Sequence, residues 1–387
     1  MNESVVKGLL PVGLEDLLAP EAEREADAVS RLMACFAGHG YQRVKPPLVE
    51  FEENLLQGSG QALSKEIFRL MDPLSQRMMA VRADMTMQIA RIAQTRLAHD
   101  PRPLRLSYAG EVLRVKGGEL EPARLLMQVG VELIGSAAAA GDAEVILLAL
   151  EGLEMLAIDR LSIDLNAPTL VPAVAAGLEL EEDLVRRARA ALDRKDAAAV
   201  AALGGAAGRL FGALLDASGM AERALAALTA IELPEGARAS AAELREVAER
   251  VRAARPDLSL TLDPVEHRGF EYHSGVTFSI FAVGARGELG RGGRYRVGSS
   301  AGGEPATGVT LIMPAILRRA RALAAPRRLF VPFGTAPGDA VRLRADGWAT
   351  LAGLEPSADA RREAARLGCS HWLENGRAVA LPLAKGG

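Results

Sequence analysis

Residues 265 to 295 read VEHRGFEYHSGVTFSIFAVGARGELGRGGRY. The first part of this stretch brings a cation, a carboxylate, a phenol and an imidazole together within six residues, at Arg268, Glu271, Tyr272 and His273. The second part predicts paired strands, with glycines where the backbone passes close to a ligand. Four such polar groups near one concave point suit a small zwitterionic ligand.

The composition is that of a globular protein with a large core. The chain has 387 residues, of which 49% are hydrophobic, and this length predicts two or three domains. Its formal net charge of -3 argues against the basic surface that nucleic-acid binding usually requires. We therefore expect no nucleic-acid partner.

The two cysteines, Cys35 and Cys369, lie far apart, with neither a CxxC motif nor a neighbouring pair of histidines. This spacing predicts neither a disulfide nor a zinc site, and no other metal or cofactor is indicated. The N-terminal residues lack a basic region followed by an apolar run, and glutamates interrupt the most apolar helical segment, residues 143–158. We expect a cytoplasmic protein without a membrane segment.

The N-terminal residues predict a long helix followed by an edge strand. The helix is predicted to begin at Pro20. Its apolar stripe consists of Ala26, Val29, Met33 and Phe36, and this stripe indicates one buried face. The extended run 41–51 contains two consecutive prolines, at 46 and 47, which favours a sheet edge or an interface.

Two strand pairs follow. Residues 66–83 predict two strands around a turn, with a helix starting at Thr86, and residues 104–134 predict a second pair. Gln128 and Glu132 are four residues apart, so they lie on the same face of a strand. That face is expected to be either solvent or a pocket.

The second half of the chain predicts an insertion and a separate C-terminal domain. Residues 168–255 are alanine-rich and helical, without a strand signal. Strands resume at Leu258, and we predict a hydrophobic helix from Gly308 to Leu323. The last sixty residues alternate between strands and helices, which is typical of a small α/β domain.

Five segments together resemble the catalytic domain of histidyl-tRNA synthetases, over roughly residues 5 to 323. They are the helix, strand and proline segment that ends at Pro47, VRADMT at 81–86, YAGEVLR at 108–114, QVGVE at 128–132 and RGFEYH at 268–273. The resemblance implies an α+β fold with a class II aminoacyl-tRNA synthetase-like antiparallel sheet flanked by helices. We divide the chain into a first core part at 1–166, a helical insertion at 167–257, a second core part at 258–323 and a small C-terminal α/β domain at 324–387.

The resemblance also implies a pocket for free histidine. Asp84 and Thr86 would accept hydrogen bonds from the ammonium group of the ligand. Gln128 would assist between the ammonium and carboxylate groups, and Arg268 would bind the carboxylate.

The ring of the ligand would be held by a second set of side chains. Glu132 would accept from an imidazole N–H, and Tyr272 or His273 would hold the other ring nitrogen. Arg114 completes the candidate site. In an alternative interpretation, Arg268 and Glu132 form a buried ion pair that only fixes the sheet.

The ATP contacts differ from the pattern of the resemblance. Class II synthetases hold ATP between two arginines, and Arg114 matches the first of them. Ala315 stands at the position of the second, and the loss of that cation costs about 2 to 4 kcal/mol in the transition state. Adenylation is therefore expected to be crippled. Arg318 or Arg319, one helical turn later, is an alternative cation.

A histidine pocket without the second arginine, and with a short C-terminal domain, resembles the regulatory subunits of ATP phosphoribosyltransferase. The resemblance implies a non-catalytic chain that binds and activates a short catalytic subunit in the first step of histidine biosynthesis. It further implies feedback inhibition by L-histidine and a homodimer within a larger hetero-oligomer. Two alternatives stay open: a divergent histidyl-tRNA synthetase, and an interaction module of the same fold that binds no ligand.

Overall fold

A nine-stranded mixed sheet forms the centre of the first of two units, Met1–Arg321 and Ala322–Gly387, in this computed structural model. Strand and sheet numbers refer to the part of the chain that the structure describes. The described residues are 9–56, 63–118, 121–266, 273–298, 302–321 and 326–382.

Twelve strands of the first unit lie within these ranges. In chain order they are β1 (Gln42–Arg43), β2 (Val49–Phe51), β3 (Phe68–Met71), β4 (Met78–Val81), β5 (Leu104–Leu113), β6 (Leu125–Ile134), β7 (Leu161–Asn166), β8 (Gly219–Met220), β9 (Ser259–Asp263), β10 (Thr277–Ala282), β11 (Gly290–Val297) and β12 (Glu304–Ile312). The spatial order of the central sheet is β1-β5-β6-β12-β11-β10-β7-β9-β8, and β2, β4 and β3 form a separate small sheet.

The middle of the central sheet is antiparallel, as the sequence predicts. The five pairings from β5 across to β7 all run antiparallel. Two pairings towards the edges are parallel, β1 with β5 and β7 with β9, so the sheet as a whole is mixed.

Helices cover both faces of this sheet. In chain order they are α1 (Glu21–Gly38), α2 (Glu52–Leu55), α3 (Thr86–Thr95), α4 (Ala139–Met155), α5 (Leu170–Gly177), α6 (Glu182–Asp193), α7 (Ala197–Ala201), α8 (Gly205–Asp216), α9 (Ala221–Thr229), α10 (Glu235–Ala254) and α11 (Met313–Leu317). The larger core contains residues of α1, α4, α10 and α11. A smaller core on the opposite face packs α3 against β5, β6 and β11. Helix α4 is apolar on most sides because it contacts the sheet, α1 and α10.

The predicted helix from Gly308 to Leu323 is wrong in its first part. Residues 308–312 belong to β12, which pairs with β6 on one side and with β11 on the other. The β-branched residues Val309, Thr310 and Ile312 favour a strand between two partners, and tertiary pairing therefore overrides the apolar run. The helix itself is short and begins at Met313.

The predicted stripe on α1 is only partly buried. Met33 and Phe36 lie in the core, whereas Ala26 is exposed and Val29 is half-buried. Leu32, one residue before Met33, is fully buried instead. The rest of the chain therefore covers only part of the apolar side of α1.

The alanine-rich segment forms helices α5 to α10, as predicted, but it also contributes a strand. The two-residue strand β8 pairs with β9 at the edge of the central sheet. Our finer division of the first unit into domains stays a prediction.

The second unit alternates between strands and helices. Its elements are β13 (Arg328–Val331), α12 (Pro337–Ala345), β14 (Ala349–Ala352), α13 (Ala360–Arg366), β15 (His371–Glu374) and β16 (Arg377–Ala380). β13 pairs in parallel with β14 and β15, and β16 closes the sheet antiparallel to β15. This is the small α/β unit that the sequence predicts.

Within the described ranges, no helix is both long and apolar enough to cross a membrane.

The contact between α1 and α4 is expected to carry much of the stability of the first unit. Leu32 lies against Gly152 of α4, where an added Cβ would meet its Cδ2 atom at 2.9 Å. Leu32→Ala should lower the free energy of unfolding by about 2 to 5 kcal/mol, because it leaves a cavity in a close-packed contact. Urea unfolding followed by circular dichroism measures this loss. The exposed neighbour Ser30, changed to alanine, should stay within about 0.5 kcal/mol of the wild type, and equal losses for both variants would contradict the packing role.

Candidate functional site

Glu132 lies at the centre of a polar patch on the α3 face of the sheet. Its side chain extends across β12, where Gly308 is its register partner. A Cβ at Gly308 would come within 1.8 Å of the Glu132 Oε2 atom. Glycine is therefore required at position 308 for the carboxyl group to occupy this place.

A second glycine makes room for a phenol beside Glu132. Tyr108 on β5 lies over Gly130, where a Cβ would meet the Tyr108 hydroxyl at 2.4 Å. The two glycines lie on adjacent strands, so the backbone beneath the Tyr108 and Glu132 side chains carries no side chains of its own.

Hydroxyl groups surround the Glu132 carboxyl. The Tyr295 hydroxyl donates to Oε2 at 2.8 Å, and the Tyr108 hydroxyl lies 3.4 Å from Oε1. Tyr108 also forms a hydrogen bond of 2.9 Å with the Thr310 hydroxyl. A buried carboxyl needs such partners, since burial without them costs several kcal/mol, roughly 2 to 7.

The environment favours the neutral form of Glu132. The pKa of Glu132 is raised to about 8, chiefly because the carboxyl group is buried and also because the charge of Asp84 lies nearby. Hydrogen bonds from Tyr295, Thr86 and Tyr108 act in the opposite direction but are the weaker effect. Burial likewise raises the pKa of Tyr108 well above its ordinary range. At neutral pH the site therefore holds a protonated carboxyl that is close to ionisation.

Asp84, Thr86 and Gln128 lie beside Glu132. Gln128 Nε2 donates to Asp84 Oδ2 at 3.0 Å, and Gln128 Oε1 accepts from the Met85 backbone N–H at 3.2 Å. The Thr86 backbone N–H donates to Asp84 Oδ1 at 2.8 Å. The start of α3 thus fixes the side chains that the sequence assigned to the ligand ammonium group.

The remaining predicted residues differ in position. Arg114 lies at the margin, where Nε is 3.4 Å from the Ala83 carbonyl oxygen and 3.9 Å from a Glu66 carboxylate oxygen. His273 is buried just before β10. Arg268 and Tyr272, like Glu271, lie outside the described residues, so their roles stay predictions.

The sequence did not assign Tyr108, Tyr295 or Thr310 to the site. Tyr108 begins the YAGEVLR segment. Tyr108 and Gly110 are two residues apart and therefore lie on the same face of the strand, and this spacing was a signal for the face that carries the site. Tyr295 and Thr310 reach the site only through strand register, which no local spacing encodes. Together these residues form a hydrogen-bonded polar cluster, which we call the chamber, and its carboxyl and hydroxyl oxygens are groups that can accept from an amino-acid ammonium or imidazole group.

Within the described part of the chain, one group of side chains has the geometry to hold a metal ion. The ligand atoms of Cys35, His39 and Glu151 lie within 4.8 Å of one another. His39 Nε2 forms a hydrogen bond of 3.0 Å with Glu151, and burial raises the pKa of Cys35 to about 11. The thiol is protonated at neutral pH, and Cys35 on α1, His39 just after α1 and Glu151 on α4 lie on the opposite side of the sheet from Glu132.

No charged side chain stands at the position that matches the second ATP-binding arginine of class II synthetases. Ala315 is buried among apolar residues of the larger core. Arg318 Nη1 pairs with Glu121 at 2.8 Å, and Arg319 Nη2 donates to the Val283 carbonyl oxygen at 3.1 Å. Both alternative arginines therefore have other partners in this conformation.

The fold is that of a class II aminoacyl-tRNA synthetase-like protein. The family model described as Histidyl-tRNA synthetase matches residues 13–316. The ATP phosphoribosyltransferase regulatory subunit of Rhodospirillum centenum is 56% identical over 369 residues, which is 95% of each chain. The chain therefore belongs to the family of ATP phosphoribosyltransferase regulatory subunits.

Solved structures confirm the fold. An ATP phosphoribosyltransferase regulatory subunit/histidyl-tRNA synthetase from Bacillus halodurans superposes with a TM-score of 0.79 at 21% identity, covering 94% of this chain and 97% of that one. The ATP phosphoribosyl transferase (HisG:HisZ) complex from Thermotoga maritima contains a chain with a TM-score of 0.59 at 16% identity, covering 75% and 97%. The predicted class II fold is confirmed by these matches.

The raised pKa of Glu132 has a measurable effect on stability. Its folded value of about 8 lies above the ordinary 4.5, so between these values the folded chain keeps a proton that the unfolded chain has lost. Stability therefore falls as the pH rises through this window. Glu132→Gln should raise the Tm most at pH 8.5, and the gain should shrink towards pH 5. Differential scanning calorimetry with the exposed Glu222→Gln as control tests this, and a pH-independent difference would refute it.

Proposed function

We propose that this chain binds and activates the short catalytic subunit of ATP phosphoribosyltransferase and conveys feedback inhibition by L-histidine. One observation carries the proposal. The side chains of Tyr295, Gln128 and Asp84 form a buried polar cluster around Glu132, while Ala315 leaves the position that matches the second ATP arginine without a cation. Such a chain binds an amino acid but lacks the second ATP-binding arginine that adenylation of the amino acid uses.

Histidine matches the chamber group by group. In this proposal Asp84 and Thr86 accept from the ammonium group, Gln128 assists between the ammonium and carboxylate groups, and the Glu132 carboxyl accepts from an imidazole N–H. Arg268 binds the ligand carboxylate, and Tyr272 or His273 holds the second ring nitrogen.

Histidine binding is expected to draw a proton from Glu132. A donor N–H stabilises the ionised carboxylate, so the pKa of Glu132 falls from about 8 when the ligand binds. Affinity for histidine should then rise with pH over the neutral range, because the ionised form is the one that accepts.

The partner is supported by two matches. The relative from Rhodospirillum centenum is a regulatory subunit, and the structure from Thermotoga maritima is a complex of two different chains, HisG and HisZ. We infer a hetero-oligomer in which the transfer chemistry belongs to the short catalytic subunit. Feedback requires that histidine bind two arrangements of this assembly with different affinity, since equal affinity shifts no equilibrium.

Two other functions make different predictions. A divergent synthetase would catalyse histidine-dependent exchange of pyrophosphate into ATP, and the buried Ala315 opposes this. An interaction module without a ligand would give no heat with histidine, and the polar chamber around Glu132 opposes that.

The regulatory role is tested by phosphoribosyl transfer. The short catalytic subunit from the same organism should be stimulated by this chain, and a histidine titration should suppress the stimulation. Glu132→Ala should abolish the histidine effect while stimulation persists, because it removes the ring acceptor but leaves other surfaces unchanged. The exposed Glu222→Ala should behave as the wild type.

Two results would count against the proposal. Absence of stimulation at saturating concentrations of this chain would reject the partner, and pyrophosphate exchange would become the next assay. A Glu132→Ala variant that responds normally to histidine would reject the assigned chamber.

We further propose that a homodimer forms on the uncovered side of α1. A groove of about 610 Å³ runs along this helix beside the edge strand β1, and its lining includes Ala26, Val29, Met33 and Met127. This groove, which Glu25 and Arg43 also line, lies next to the edge of the sheet in the described part of the chain, and a second copy of the chain would cover both at once.

Val29→Glu should shift this dimer towards monomer, because it buries an unpaired carboxylate in the apolar contact. Sedimentation velocity over a concentration series measures the shift. Leu354→Glu, at an exposed position of the second unit, is the matched control. A monomeric wild type, or a Val29→Glu variant that dimerises equally well, would overturn the proposed interface.

A further inference from the structure

Arg294 on β11 connects the sheet to the helical insertion. Its Nη1 atom lies 2.6 Å from Glu243 Oε1 on α10, and it also forms an ion pair with Asp142 on α4. Nη1 further donates to the Ala137 carbonyl oxygen at 2.6 Å. The Asp142 carboxyl is itself held by the Thr307 hydroxyl of β12 at 2.6 Å. One guanidinium thus contacts three structural elements inside the protein.

The backbone of Arg294 holds the segment that follows His273. The Ser274 N–H donates to the Arg294 carbonyl oxygen at 2.8 Å, and the Arg294 N–H donates to the Val276 carbonyl oxygen at 2.8 Å. Gly275, between them, packs so closely that a Cβ would lie 2.9 Å from Arg294 Cδ and 3.0 Å from Glu243 Oε1. Displacement of the Glu243 or Arg294 side chain would therefore remove a contact that holds this segment and would allow the segment to move.

The next residue of the strand belongs to the chamber. Successive side chains of a strand point to opposite faces, so Arg294 faces α4 and α10 while Tyr295 faces Glu132. The Tyr295 hydroxyl donates to the Glu132 carboxyl at 2.8 Å. The ion cluster and the chamber therefore share one short piece of β11.

We propose that Glu243, in the helical insertion, is a positioning residue for the amino-acid chamber and acts through Arg294 on Tyr295 and on the segment 273–276. The inference rests on the proposed function, because histidine is the ligand whose affinity reports the position. It assigns the insertion a role in setting that affinity.

The ion pair between Glu243 and Arg294 can be lost while Arg294 keeps another carboxylate partner, Asp142. Two carboxylates face one cation, and burial raises the pKa of both Glu243 and Asp142. Asp142 is almost fully buried, whereas the Glu243 side chain is 23% exposed. Loss of the Glu243 charge leaves Arg294 paired with Asp142, so the fold persists while the guanidinium relaxes towards α4.

The test compares two glutamates on the same helix. Glu243→Gln should weaken L-histidine binding about fivefold or more, which is the lower end of typical coupling between sites. Glu246, three residues later, pairs with Arg250 at 2.8 Å at the surface, and Glu246→Gln should bind histidine within about twofold of the wild type. Isothermal titration calorimetry on the full chain measures both affinities.

Hydrogen exchange of the ligand-free protein reports the position directly. The amides of Ser274 and Arg294 should exchange faster in Glu243→Gln and be unchanged in Glu246→Gln. Glu243→Asp keeps the charge and should recover part of the affinity. If Glu243→Gln fails to fold, Glu243→Asp, which shortens the side chain, decides by the same two readouts.

Three outcomes separate the hypotheses. Wild-type affinity and wild-type exchange in Glu243→Gln would overturn the inference, and so would a loss of affinity without faster exchange at Ser274. If the wild-type protein binds no histidine, the feedback part of the proposed function fails, and the exchange rates alone decide whether Glu243 positions the segment.

Discussion

Burial of the Glu132 carboxyl is the constraint on which the candidate site depends. A carboxyl placed on the inner face of a sheet loses its water and must find partners within the fold. Two phenols provide hydrogen bonds, and two glycines provide the space, since any side chain at Gly308 would occupy the same volume. The result is a carboxyl group whose pKa is raised to about 8, chiefly by burial, so that it is protonated at neutral pH.

Part of this arrangement was predicted from the sequence. The four-residue separation of Gln128 and Glu132 placed both on one face of a strand, and the family resemblance grouped them with Asp84 and Thr86 at the start of α3. The first relationship lies within one strand, where the period of two decides side-chain direction, whereas the second joins residues 44 positions apart.

Sequence reasoning failed where the structure depends on distant parts of the chain. Tyr295 reaches Glu132 from a strand 163 residues away, and only the register of β12 and β11 brings them together. The same nonlocal pairing turned the apolar residues 308–312 into a central strand rather than a helix. Arg268 and Tyr272, which the sequence favoured most, lie outside the described residues and stay predictions.

Gly308 has a genetic consequence. A methyl group there meets the far end of the Glu132 side chain rather than the backbone, so it displaces the carboxyl and leaves the sheet intact. Glycine and alanine codons differ by one nucleotide. Under the proposed function, a single base substitution would therefore suffice to yield a folded protein that no longer senses its amino acid, and selection for histidine overproduction would have a one-step route through this codon.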